Sequence, residues 1–229
     1  MKVFAGLYDS FAISKSGILY IWGDNNLAEL GNCDTTKPCA VEFPFAISTI
    51  SPGYGFTTLL TKNGDVYNWG INSSGHLRDG TQKNHYAPQK ISTLSQVQKL
   101  VSGIYHSLVL TKDGTVYSWG WNYYGQLGNG SIDNQFVPVQ IPLPGKATDV
   151  ATSGSTSYVK LEDGKVFAFG RNEELEIGSK YQEKVPTPVE VHYSDESLLF
   201  LPFKIKGRNP GYGKLEQEVR KGWQREMEM

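Results

Sequence analysis

Two glycine series and one proline series run through this chain in step. Gly17, Gly64, Gly114 and Gly164 each follow a short polar residue at the tip of an alternating run, and Gly23, Gly70, Gly120 and Gly170 each follow an aromatic ring. Both series advance by 47, 50 and 50 residues. Pro38, Pro88, Pro138 and Pro188 advance by 50 throughout, so the first unit is three residues shorter between Gly31 and Pro38. Three markers in register across four copies require a repeated supersecondary unit, one that buries its apolar face only by stacking on its neighbours.

Each unit reads as sheet. In the third copy, Ser107 to Thr111 and Val116 to Trp119 alternate in character on either side of Asp113-Gly114, a strong hairpin signal. Tyr20, Tyr67, Tyr117 and Phe167 stand two residues before Trp22, Trp69, Trp119 and Phe169. At a period of two, each pair shares one face of a strand and is placed to stack against the next sheet. Full burial of one such side chain contributes roughly 1.5 to 3 kcal/mol, which makes these rings structural. A further run follows each proline, as in Pro138-Val-Gln-Ile, and another precedes each hairpin, as in Ala147 to Thr152. Proline belongs at the start or the edge of a strand. The fold class predicted is all-β, with propeller-type blades of four antiparallel strands in a partial or unusually small propeller.

The combined pattern resembles the regulator of chromosome condensation repeat family, whose blades carry Gly-x-x-His-Ser, Asp-Gly, Tyr-x-Trp-Gly and Asn-x-x-Gly-Gln-Leu-Gly. In the third copy Gly103, His106, Ser107, Asp113, Gly114, Tyr117, Trp119, Gly120, Asn122, Gly125, Gln126, Leu127 and Gly128 match it. The resemblance covers about residues 1 to 191 and is partial in the other copies. It implies a ring of blades, usually seven in this family, whereas only four repeats are present. An apolar run at Ser197 to Phe203 stands where a fifth blade would open, giving a repeat domain over 1–203. In the remaining segment, 204–229, Leu215, Val219, Trp223 and Met227 recur every four residues among charges, the pattern of an amphipathic helix. The open faces of four blades call for a cover. Self-association, a partner chain, an unusually small closed ring or the tail itself would each supply one.

The functional reading comes from what varies while the framework repeats. The turn lies at one end of each hairpin, so the residues just before and just after it meet at the other end. There stand Tyr8 and Asp9, Phe56, Tyr105 and His106, Trp121, Tyr123 and Tyr124, and Arg171. Rings, an acid and an arginine with no rule from repeat to repeat describe a recognition surface for a protein partner. In the family the position of His106 is occupied by histidine for blade packing, which competes with a surface role for it.

Chemistry by reactive groups is not indicated. His76, His85, His106 and His192 include no pair at metal-ligand spacing, and neither a nucleophile elbow nor a phosphate-binding loop is present. No catalytic residue, cofactor or metal is assigned. A formal net charge of −1 argues against a nucleic-acid binder, and no apolar run is long enough to span a membrane. Without a leader-like N-terminus the default location is the cytoplasm, and Cys33 and Cys39 read as reduced. The resemblance implies binding to a small GTPase or a trafficking component. It also implies guanine-nucleotide exchange on a Ran-like GTPase, in a host cytoplasm if the chain is a bacterial effector, or inhibition of an enzyme by the rim. The exchange-active member of the family uses a wedge inserted in one blade. Here the distance from each repeat proline to the next turn glycine is 26 residues in all three intervals, which leaves no room for one.

Overall fold

The structure is a computed structural model that describes residues 1–23, 37–72, 84–178 and 182–192. Among the described residues, sixteen strands form four antiparallel sheets, each in simple sequence order. The first holds β1 (Lys2–Ala5), β2 (Asp9–Ile13), β3 (Leu19–Gly23) and β4 (Cys39–Val41); the second β5 (Ile47–Pro52), β6 (Phe56–Thr61), β7 (Val66–Gly70) and β8 (His85–Lys90). The third holds β9 (Val97–Ser102), β10 (His106–Thr111), β11 (Val116–Gly120) and β12 (Gln135–Gln140); the fourth β13 (Ala147–Ser153), β14 (Thr156–Leu161), β15 (Val166–Arg171) and β16 (Lys184–Glu190). All lie in one compact unit, Met1–Val191. The apolar run 197–203 and the expected helix in 204–229 fall outside the described residues.

The two glycine series have separate physical causes. At the hairpin tip, Gly114 N–H donates to Thr111 O at 3.0 Å and Thr111 N–H to Thr115 O at 2.9 Å, closing a three-residue loop. Gly114 completes it at φ +87, with Gly64 at +87, Gly164 at +88 and Gly17 at +91 in the same left-handed state. At the other end, Gly120 has φ +107, and a Cβ there would stand 2.5 Å from the carbonyl oxygen of Tyr105. Glycine is therefore required at that position both by conformation and by the neighbouring backbone.

The sheets meet through three apolar cores. Phe11, Ile13, Leu19 and Ile21 of the first sheet pack with Ile47, Ile50, Leu59 and Trp69 of the second. Leu60, Val66 and Ile91 meet Val97, Leu100, Val109 and Trp119 at the next junction. Leu108, Leu110, Val116 and Ile141 meet Val150, Val159, Phe167 and Phe169 at the last. Each ring after the first thus packs on the preceding sheet and not, as expected, on the next one; the spacing gives the shared face, while packing sets which neighbour it meets. Trp22 and Tyr20, on the first sheet, are only half-buried.

Two expectations need correction. Pro88, Pro138 and Pro188 sit inside β8, β12 and β16 rather than opening them. These are the outer edge strands, and the β11–β12 register shifts between Ser118 and Gly120, so the missing proline donor falls where pairing is already interrupted. Cys39 is disulfide-bonded, not a reduced thiol.

Candidate functional site: an aromatic rim

The end of the sheets opposite the hairpin tips is built by two kinds of loop. The short loops before β6 and β10 are tied from sheet to sheet through the backbone: Tyr54 N–H donates to Ile104 O at 2.8 Å, and Ile104 N–H to Gly154 O at 3.0 Å. The longer loop after β11 is organised by Asn122, which is fully buried. Its Nδ2 donates to Ser131 O at 2.8 Å and Asp133 O at 3.0 Å, and its Oδ1 accepts from Leu127 N–H at 2.9 Å. Gln126 Oε1 accepts from Tyr124 N–H at 3.0 Å. The loop lies on the fourth sheet, where a Cβ at Gly125 would meet Pro186 Cα at 2.3 Å and Gly130 N–H donates to Pro186 O at 2.9 Å. Tyr123 and Tyr124, from the third repeat, are thereby delivered to the fourth.

A continuous ribbon of rings results. Tyr8 and Tyr54 have centroids 6.3 Å apart, Tyr54 and Tyr105 5.4 Å, and Tyr105 and Trp121 5.6 Å, each pair edge-on. Trp121 stacks on Tyr123 at 5.8 Å and meets Tyr124 edge-on at 5.6 Å. Lys184 Nζ lies 3.3 Å from the Tyr123 ring centre and the Arg171 guanidinium 5.9 Å from that of Tyr124. Tyr8 and Tyr123 are 62% and 50% exposed. Burial, with Tyr54 second, raises the Tyr105 phenol above the ordinary tyrosine value; burial and then Glu173 do the same for Tyr124. Both hydroxyls stay protonated donors at neutral pH. Arg171 Nε donates to Glu173 Oε2 at 2.6 Å, and Glu176 lies 3.8 Å from it, so this cation is held within the surface.

Of the residues expected on the rim, Tyr8, Tyr105, Trp121, Tyr123, Tyr124 and Arg171 come together in this ribbon. Asp9, Phe56 and His106 do not, being 5%, 0% and 0% exposed at the first positions of β2, β6 and β10. Each tucks beneath the glycine three residues earlier. A Cβ on Gly6, Gly53 or Gly103 would collide with Asp9, Phe56 or His106, at 2.1 Å from Phe56 Cε1 and 2.3 Å from His106 Cε1. This is the steric content of the Gly-x-x-His spacing, and the fourth copy, with Ser153 and the smaller Thr156, dispenses with the glycine. His106 Nε2 pairs with Ser157 Oγ at 2.8 Å and so joins the third and fourth sheets.

Two rim residues escape a reading by repeat position. Tyr54 stands one place before Gly55, which fills the ring position of its copy and has no side chain to offer. Lys184 reaches the rim by pairing with Arg171 across β15 and β16. Among the described residues no group of three His, Cys, Asp or Glu side chains is placed to hold a metal ion, and no helix is long and apolar enough to cross a membrane. Two open grooves, of about 490 and 380 Å³, lie among the hairpin turns around Lys112, Asp113 and Lys146 and contain none of these rings.

Comparison with known proteins agrees with this architecture. The family model for the regulator of chromosome condensation (RCC1) repeat matches residues 63–110 and 113–159. HERC3 of Homo sapiens, described as a probable E3 ubiquitin-protein ligase, is 34% identical over 114 residues, 47% of this chain but 11% of that protein. Human WBSCR16 superposes with a TM-score of 0.77 at 24% identity, over 84% of this chain and 55% of its own. Prp20p from Saccharomyces cerevisiae, whose structure is described with its binding properties to Gsp1p and histones, superposes with a TM-score of 0.75 at 18% identity, over 84% of this chain and 50% of its own. The chain thus spans about half of the similar solved structures and about a tenth of HERC3. Residues 63–110 and 113–159 thus carry regulator of chromosome condensation repeats, and the four sheets share the fold of these solved structures.

Proposed function

We propose that this chain is a non-catalytic interaction module that binds a protein partner through its aromatic rim, the partner being a small GTPase or a component of membrane traffic. The observation that carries the reading is the ribbon from Tyr8 to Tyr124, six rings from three repeats in continuous contact on a rim braced by backbone bonds. Tyrosine and tryptophan supply large contact area at little entropic cost, and a braced rim has little ordering left to do on binding. Affinity capture with the full chain tests it. Tyr123→Ala and Trp121→Ala should each weaken partner recovery about tenfold with the melting temperature within a few degrees of the parent. Parallel loss of capture and of stability would assign these rings to folding instead.

The likeness to Prp20p, described as binding Gsp1p, supports a second reading: nucleotide exchange on a Ran-like GTPase. Exchange needs no nucleophile. It requires tighter binding to the empty GTPase than to the loaded one, which lowers nucleotide affinity by the same factor. Labelled-GDP release from a panel of small GTPases should accelerate on addition of the chain, and release at the spontaneous rate throughout would reject this reading.

A further inference from the structure

The loop that places Tyr123 and Tyr124 on the fourth sheet also contains a peptide bond open to rearrangement. The chain has two Asn-Gly pairs, Asn63-Gly64 and Asn129-Gly130. Glycine has no side chain to shield its amide nitrogen, so in a free pair that nitrogen reaches the asparagine side chain more readily than a bulkier residue's would. It attacks Cγ, loses its proton to water or hydroxide, and expels the side-chain nitrogen as ammonia, closing a five-membered imide. Water then reopens the ring. Breaking the new bond to Cγ leaves aspartate; breaking the old bond to the main-chain carbonyl leaves isoaspartate, whose main chain runs through Cβ and Cγ and is one atom longer.

The docked loop holds both reacting groups. Gly130 N–H donates to Pro186 O on the fourth sheet at 2.9 Å, and Asn129 Oδ1 accepts from Ser131 N–H at 3.1 Å and from Asn122 Nδ2 at 3.3 Å. Attack requires the Gly130 nitrogen to leave Pro186 and the Asn129 carboxamide to leave its donors, so the loop must first come off the fourth sheet. At the other pair, Gly64 N–H is tied only within its own hairpin loop, to Thr61 O at 3.1 Å, and Asn63 is exposed.

The isoaspartyl product does not fit back. Asn122 spans the reacting pair: its Oδ1 takes Leu127 N–H on one side, and its Nδ2 reaches Ser131 O and Asp133 O on the other. A longer main chain at 129 shifts one set against the other and moves the Gly130 amide off Pro186 O. Aspartate at 129 keeps the main chain and an oxygen for the same donors, and so fits.

We propose that Asn129 is a deamidation site that makes the loop a one-way switch: it reacts only while the loop is off the fourth sheet, and its isoaspartyl product keeps the loop off. Tyr123 and Tyr124 then lose their places beside Lys184 and Arg171. The switch belongs to the loop and stands whether or not the rim is a contact surface.

Timed peptide mapping of the full chain by mass spectrometry at mildly alkaline pH, with and without urea, tests the gate. Asn129 should react about tenfold or more slowly in the native chain than in urea, the factor being set by how rarely the loop opens. Asn122→Ala should raise the native rate at Asn129 about tenfold and leave that at Asn63 unchanged. If circular dichroism shows that Asn122→Ala unfolds the chain, the milder Asn134→Ala, which removes only the acceptor of Asn122 N–H, takes its place. Hydrogen exchange tests the lock. The Leu127 and Gly130 amides should exchange about tenfold or more faster in aged chain carrying isoaspartate at 129, separated by chromatography, than in the parent, whereas Asn129→Asp should keep the parent's protection. Equal rates at Asn129 with and without urea, or no acceleration in the folded loop variant, remove the gate, and unchanged protection in the isoaspartyl chain removes the lock; either result overturns the proposal.

Discussion

At the scale of single residues, the repeat signature resolves into steric and polar requirements that differ from position to position. Gly120 answers to the Tyr105 carbonyl, Gly103 to the His106 ring, and Gly125 to Pro186 of the next sheet. These are three distinct reasons for one residue type. The first and the third are the most demanding because each joins a left-handed φ, +107 and +80, to a backbone atom that cannot rotate away. Gly120→Ala should therefore destabilise the chain by about 2–4 kcal/mol in urea unfolding, the range for backbone strain combined with a clash. Gly130→Ala, with only Thr187 Cγ2 near at 3.9 Å, carries the strain of φ +84 alone and should cost about 1 kcal/mol. Equal costs at the two sites would show that conformation, and not contact, sets the requirement. The polar residues divide in the same way. Asn122 appears among the loop side chains in sequence, yet in three dimensions it is the buried hub that carries Tyr123 and Tyr124.

At the scale of elements, the unit of stabilisation is the junction between sheets rather than the sheet. Each junction sets the ring that precedes the second repeat glycine of the later sheet against apolar residues of the earlier one: Trp69, Trp119 and Phe169 in turn. Trp22 occupies the same repeat position in the first sheet but is only half-buried. Trp119→Ala should cost about 3–5 kcal/mol, the range for removing a large buried ring, and Trp22→Ala markedly less, about 1 kcal/mol. Chemical denaturation of the two variants measures both. Comparable losses would mean that Trp22 is covered in solution by something that buries it as fully as a neighbouring sheet would. The edge strands follow the same logic. Pro138 within β12 and the register shift beside it blunt an outer strand that would otherwise present a full row of donors.

At the scale of the whole molecule, four sheets that touch their sequence neighbours behave as a nearly one-dimensional array, in which stability accumulates through nearest-neighbour contacts. The second and third sheets each contribute to two of the three junctions, so amide hydrogen exchange should be slowest in β6, β7, β10 and β11 and faster in β1 to β3. Uniform protection across the four sheets would indicate a more cooperative assembly. Much of this was legible in sequence, for a physical reason: hairpin turns, alternation and glycine spacing are local. A left-handed glycine and a period of two leave their marks within a few residues. Four repeats, four strands in each and the stacking face of Tyr117 and Trp119 follow from that. Local patterns carry no information about depth, which is why Asp9, Phe56 and His106 read as rim residues until packing placed them under Gly6, Gly53 and Gly103. Nor do they show which loop leans on which neighbour. Tyr54 enters the ribbon because Gly55 leaves its position empty, and Lys184 because β16 pairs with β15. The sequence by itself determined the repeating sheet and its ring-bearing face, because those depend on neighbours along the chain. Only the tertiary structure decided which rings touch across repeats and which lie open to a partner, because burial is set by atoms about fifty residues away in a chain of this period.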